Sequence, residues 1–210
     1  MGEAIVKKQK IMKKILHVIS SPRGEASYSV KLGRSIVDRL VATYPGSTVT
    51  EKNLTKNPLP HLEESHLASI FTPAEKRSAE QQAAIQHSDT AIREILDADI
   101  IVIGAPMWNF GIPSGLKAWI DHIARAGVTF KYDEKGPAGL VLGKKVYIAL
   151  SSGAVYSQGA MQQYDFISPY LKSFLGFLGM TDVTIVRAEG TSMPGVQDGA
   201  LEKALEGFAA

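Results

Sequence analysis

The 210-residue sequence contains no cysteine, which excludes disulfides, thiolate metal sites, iron–sulfur clusters and a cysteine nucleophile together. Any redox chemistry must therefore come from a bound cofactor. Charge of one sign is also scarce: Lys and Arg number 23 against 21 Asp and Glu, a net +2 that is too small to argue for a nucleic-acid partner. Long apolar runs are missing as well. The longest, Ile100 to Met107 and Val146 to Leu150, fall far short of the ~20 residues of a bilayer-spanning helix. The first residues carry Lys7, Lys8, Lys10, Lys13 and Lys14 without the apolar core or cleavage site of a secretory signal. Residues 1–13 read as a disordered extension that function does not need, residues 14–210 as one domain, and the location as cytoplasmic.

Hydrophobic residues make up 45% of the chain, enough for a substantial core, and their spacing alternates between short buried runs and amphipathic stretches. That pattern predicts an α/β fold, a parallel sheet with helices on both faces. Strands are expected at Ile15 to Ser20, Thr48 to Leu54, Asp99 to Ala105, Lys145 to Ser151 and Asp182 to Glu189. Between the first two, Val30, Val37, Leu40, Val41 and Tyr44 recur at helical spacing until Pro45 and Gly46. Thr55 to Phe71 reads as a long connection. Thr72 with Pro73 and Glu75 predicts the start of a helix running to about Leu96. Further helices are expected over about Pro113 to Arg125, Phe166 to Leu178 and from about Asp198, with a small hairpin between Val128 and Gly139. Five strands and about five helices fit a doubly wound sheet of order 2-1-3-4-5.

In such a sheet a ligand sits beyond the carboxyl ends of the strands, where strand order reverses. After the first strand comes SSPRGEASYS, Ser20 to Ser29, a loop of hydroxyls and one glycine opening onto a helix. Free N–H groups and the helix dipole suit a phosphate there, although a serine-rich turn is also a common helix cap. Neither GxxxxGK[ST] nor GxGxxG is present. After the third strand, two prolines and two glycines stiffen a loop in which Met107, Trp108 and Phe110 offer flat or soft apolar surface to a ring. The alternative is that these side chains only seal the sheet end. After the fourth strand, Ser151, Ser152, Gly153 and Ala154 form a small-residue turn that a ring edge could approach.

Other chemistries read less well. His61, Glu63, Glu64 and His66 lack HExxH spacing and read as a solvated loop rather than a metal site. Asp121 and His122 are helix neighbours pointing in different directions, which spoils a triad with Ser114, and no GxSxG elbow exists. His17, inside an apolar strand, reads as a packed core residue.

The runs APMWNFGIPSGLK (Ala105 to Lys117), ARAGVTFKY (Ala124 to Tyr132), GPAGLVLGKK (Gly136 to Lys145) and PYLKSFLGFLGMTDV (Pro169 to Val183) resemble the FMN-dependent NADH-azoreductases, flavodoxin-like quinone and azo reductases. The resemblance extends from Lys14 onward. It implies non-covalent FMN held at Ser21, Ser27, Tyr28 and Ser29 on the phosphate side, at Met107, Trp108, Asn109 and Phe110 on the ring edge, and at Ser151, Ser152, Gly153 and Ala154 on the pyrimidine side. Trp108 stands where many relatives have tyrosine, and Ser152 where some have arginine. It further implies NADH or NADPH as hydride donor, quinones and azo compounds as acceptors in a ping-pong cycle, flavin N5 rather than any side chain as the reacting centre, and a homodimer in which Tyr132 and Phe177 line the substrate slot. A non-enzymatic flavodoxin-type electron carrier is the rival reading. Such carriers are usually strongly acidic, whereas this sequence has a pI near 8.7.

Overall fold

The computed structural model describes residues 12–208. Its centre is a five-stranded parallel sheet of β1 (Lys14–Ile19), β2 (Thr48–Asn53), β3 (Ile100–Pro106), β6 (Lys145–Ser151) and β7 (Asp182–Ala188), in the order β2-β1-β3-β6-β7. A separate antiparallel pair, β4 (Phe130–Asp133) and β5 (Gly136–Gly139), forms the hairpin expected after the third sheet strand. Leaving that hairpin aside, the sheet order is the expected 2-1-3-4-5.

The sheet is buried on both faces because β3 is apolar at successive positions, and successive side chains point to opposite sides. Leu16, Ile101 and Val146 are register neighbours, as are Val18, Ile103 and Ile148. These six side chains belong to one core, packed under α3 (Ala79–Asp97), α4 (Ser114–Ile123) and α5 (Ile167–Phe177). Ile15, Ile100, Val102, Tyr147 and Ala149 face the other way, into a second core under α1 (Tyr28–Thr43) and α6 (Ala200–Glu206). Each fully buried aliphatic side chain contributes roughly 1.5–3 kcal/mol, so the two cores together fix which strand ends lie side by side. Among the described residues no helix is long and apolar enough to cross a membrane.

The structure departs from the sequence reading between Thr55 and Asp97. The stretch read as a connection contains α2 (Glu64–Phe71). Its start is a capping box without a serine or threonine: the Glu63 side chain accepts from the His66 backbone, and the Glu63 N–H donates to His66 Nδ1 at 3.0 Å. Thr72 and Pro73 do not open the next helix. They precede an isolated 3-10 turn, Ala74–Lys76, and α3 begins six residues later, where Ser78 Oγ accepts from the Gln81 N–H at 3.2 Å and Gln81 Oε1 accepts from the Ser78 N–H at 3.0 Å. Both Thr72 and Ser78 are followed three residues on by Glu or Gln. Arg77 decides between them, because its Nε donates to the carbonyls of Ser69 and Thr72 at 2.9 and 3.0 Å and holds the chain in a bend. The last helix likewise starts at Ala200, after a 3-10 turn that contains Asp198.

The expected disorder of residues 1–13 falls outside the described residues except at Met12 and Lys13. The Lys13 N–H donates to Ser47 Oγ at 2.8 Å, and its carbonyl accepts from the Thr48 N–H at 3.0 Å.

Candidate functional site

The loop after β1 is anchored on β3, since Ser20 Oγ donates to the Gly104 carbonyl at 2.6 Å. At Gly104 a Cβ would stand in ordinary contact, 3.4 Å from the Val18 carbonyl oxygen and 3.5 Å from that of Ser29, so α1 starts against the sheet. Ser27 occupies the N-cap position of α1 in extended conformation, yet its hydroxyl makes no capping bond and instead pairs with Ser29 Oγ at 3.0 Å. The first N–H groups of α1 are therefore left without a side-chain cap, beside the buried hydroxyls of Ser21 and Ser27. A helix terminus in that state favours an anion.

The loop after β3 is a tight turn. Trp108 and Gly111 exchange two backbone hydrogen bonds of 2.9 Å, and the two residues between them, Asn109 and Phe110, have φ of 48° and 66°. Positive φ at both central positions is the type I′ geometry, which asparagine tolerates and phenylalanine resists. Trp108 and Phe110 are each 44% exposed. That rules against rings that merely seal the sheet end, because they present apolar surface to the open side instead. Phe110 lies against Tyr164 and Tyr156, with ring centroids 5.5 and 6.4 Å away.

The loop after β6 is held from two sides. The Met107 N–H donates to the Ser151 carbonyl at 2.8 Å, and the Ser152 N–H donates to the Ala188 carbonyl at 3.1 Å. Ser152 Oγ donates to the Ala154 carbonyl at 2.8 Å, turning back on its own loop. The Ser152 carbonyl accepts from both the N–H and Oγ1 of Thr191, at 3.1 and 3.0 Å, while the Ser192 N–H donates to the Gly153 carbonyl at 3.0 Å. Gly153 lies close to Ser192, whose Oγ would stand 3.0 Å from a Cβ and would have to give way to it.

Together these loops enclose a cavity of about 230 Å³ at the carboxyl ends of the sheet strands. Of the sequence-predicted residues, Ser21, Ser27 and Tyr28 line it from the first loop, Met107 and Trp108 from the second, and Ser151, Ser152 and Gly153 from the third. Ser29, Asn109, Phe110 and Ala154 stand behind or beyond these rather than in the lining. Arg23, Pro106, Thr191 and Ser192 also line the cavity and were not singled out from sequence. Thr191 and Ser192 follow β7, whose carboxyl end lies on the same edge of the sheet, so the strand-end rule applied to a fourth loop would have reached them.

Tyr132 and Phe177 do not line this cavity. Arg187, late in β7, bonds Asp165 and Ser168 near the start of α5, so α5 starts toward the carboxyl edge of the sheet and runs back toward its amino end. Phe177, in its last turn, packs on Phe130 at 4.5 Å, and Phe130 meets Tyr132 at 5.7 Å. Tyr132 is 71% exposed. Within one chain these rings form a separate aromatic group at the far end.

The other candidates are held in structural roles. His17 is buried, and burial lowers its pKa to about 4. His122 Nε2 donates to the Pro60 carbonyl at 2.9 Å and its ring lies 5.4 Å from that of His66, while Asp121 pairs with Lys117, so neither serves Ser114. Among the described residues no group of three His, Asp or Glu is arranged to hold a metal ion.

A family model described as flavodoxin-like fold matches residues 13–210. An FMN-dependent NADH:quinone oxidoreductase of Herminiimonas arsenicoxydans is 53% identical over 182 residues, covering 87% of this chain and 89% of that protein. The crystal structure of an azoreductase from Bacillus anthracis str. Sterne superposes with a TM-score of 0.85 at 33% identity, over 93% of this chain and 96% of that one. An FMN-dependent NADH-azoreductase from Bacillus anthracis str. Ames Ancestor, solved in complex with FMN, gives 0.81 at 27% identity, over 92% and 96%. With its sheet order, its cavity at the strand-order reversal and a family match reaching from Lys13 to the last residue, the chain belongs to the flavodoxin-like fold family.

Proposed function

We propose that this chain is an FMN-dependent NADH:quinone oxidoreductase that also reduces azo compounds. The observation that carries this reading is the meeting of two unlike surfaces in one cavity: buried serine hydroxyls at an uncapped helix start, and the exposed ring of Trp108 beside Met107.

The donor set fits FMN. Hydroxyls and N–H groups of the β1 loop suit a phosphate monoester, Trp108 and Met107 suit the face or edge of a flat ring, and the backbone of Ser151 to Gly153 can approach a heterocycle edge because the side chains are small. The cavity is smaller than the ~300–1,000 Å³ of pockets that swallow a drug-sized ligand, so a flavin would keep one face at the open mouth. Bound there, FMN supplies two-electron chemistry between a nicotinamide nucleotide and a flat aromatic acceptor. The chain's own tasks are to hold the phosphate at the β1 loop, to press the ring with the stiff Pro106–Pro113 turn, and to keep the Ser151–Gly153 loop in place through Thr191 and Ser192. No side chain in the lining is assigned the role of a proton donor.

The unit that carries this activity is a single domain over residues 14–210, with residues 1–13 dispensable, working in the cytoplasm where nicotinamide nucleotides are held. Its working form is a homodimer in which Tyr132 and Phe177 of a second copy complete the acceptor slot. The large exposure of Tyr132, away from its own chain's cavity, supports that arrangement.

The test is an absorbance spectrum of purified protein. Bands of oxidised flavin that bleach on anaerobic addition of NADH, and return on addition of a quinone, are expected. Protein that is colourless and takes up no added FMN would falsify the proposal. An electron carrier differs in staying oxidised with NADH until a partner reductase is supplied.

A further inference from the structure

Among the residues lining the cavity, Arg23 alone carries a formal charge. It stands just before the short 3-10 turn Gly24–Ala26, its own N–H 3.4 Å from Ser21 Oγ, close to the buried hydroxyls of Ser21 and Ser27. Its side chain is exposed and takes no part in the ion pairs of the described residues. The obvious partner would be Glu25, two residues on and the one carboxylate of the loop. Glu25 is already taken: Arg34, from the second turn of α1, grips both its oxygens, one of them at 2.8 Å. That pairing holds the Glu25 carboxyl below its ordinary range. The loop thus keeps its anion turned onto the helix and leaves its cation at the cavity.

We propose that Arg23 is the phosphate-pairing residue of this site, and that the Arg34–Glu25 clamp is what keeps it available. The inference rests on the flavin reading and deepens it. A phosphate dianion placed against serine hydroxyls and helix N–H groups gains charge-assisted bonds from a guanidinium, the side chain whose fork matches phosphate geometry. The loop has no lysine to do this, and Ser152, on the opposite wall, supplies no charge.

Titration of flavin-free protein with FMN and with riboflavin, which has the same ring and no phosphate, tests the assignment. Arg23→Gln is expected to weaken FMN about tenfold, to leave riboflavin unchanged, and to flatten the rise of the FMN dissociation constant with salt. Arg23→Lys should fall between. Arg34→Met, which frees Glu25 to neutralise Arg23, should weaken FMN in the same selective way. Equal losses for FMN and riboflavin would mean a merely structural arginine and overturn the proposal. So would unchanged FMN binding with a raised KM for NADPH alone, which would put Arg23 on the nucleotide's extra phosphate. Wild-type protein that binds neither flavin sinks the functional reading itself, whereas FMN binding indifferent to both arginine variants sinks only this one.

Discussion

The imidazole of His17, on β1, lies against Gly33 of α1 so closely that a methyl group on the glycine would stand 2.6 Å from Nε2. The helix can cross the strand there only because one residue has no side chain and the other is a flat ring. His17 Nε2 is buried without a hydrogen-bond partner, and burial, aided by the Arg34 charge, lowers its pKa from 6.5 to about 4. The unfolded chain therefore takes up a proton near pH 6.5 that the folded chain refuses until about pH 4. Stability is complete above that window and falls as pH drops through it, by about 3 kcal/mol in all. Urea unfolding at about pH 7.5 and about pH 4.5 measures the loss. His17→Leu should flatten the slope but not abolish it, because burial lowers the pKa of His122 as well. An unchanged slope would show that His17 is not the group responsible.

Gly139 and Gly179 bring two backbones into contact. A Cβ on Gly139 would stand 2.1 Å from the Gly179 nitrogen and 2.2 Å from the Leu178 carbonyl carbon, and Gly179 itself has φ of 100°. Neither partner is a flexible side chain that could move aside. Gly139→Ala should cost about 2–4 kcal/mol, seen as a lowered Tm, and should loosen the hairpin that carries Tyr132. A Tm within a degree or so of wild type would contradict this contact.

Phe110 holds a backbone conformation that glycine prefers. Phe110→Gly should recover about 1 kcal/mol of backbone strain and lose aromatic contacts worth about the same, so Tm should hardly move. Phe110 stands beyond the cavity lining, so its loss acts through the turn that carries Trp108, and the FMN dissociation constant should rise several-fold. A large fall in Tm with unaltered flavin binding would instead make Phe110 a packing residue.

Tyr132 tests the proposed assembly. Light scattering should give about twice the 22.7 kDa chain mass. Tyr132→Ala should raise the acceptor KM several-fold while FMN uptake stays the same, because in the proposed dimer the ring reaches only the cavity of the second copy. A monomer in solution, or a variant with wild-type acceptor kinetics, contradicts the arrangement.

Much of this architecture was readable from single segments. An unbroken apolar run such as Ile100 to Ala105 has one stable environment, the middle of a sheet covered on both sides. The three loops at its end were readable because strand order itself decides where a crevice opens, and eight residues named from them do line the cavity. Helix α2 was not readable. It is eight residues long and is capped by Glu63 and His66 rather than by a hydroxyl, so neither its period nor its start stood out against Pro58 and Pro60.

The sequence by itself determined the alternation of strands and helices, the loops that must meet at one edge and the absence of any cysteine thiol, because periodicity, turn residues and composition are local properties. Only the tertiary structure decided that Thr191 and Ser192 join the cavity, that Glu25 binds Arg34 and leaves Arg23 unpaired, and that Tyr132 and Phe177 stand apart from their own chain's site. Each of these depends on hydrogen bonds or packing between segments whose approach is set by the whole fold. No spacing within one segment encodes them.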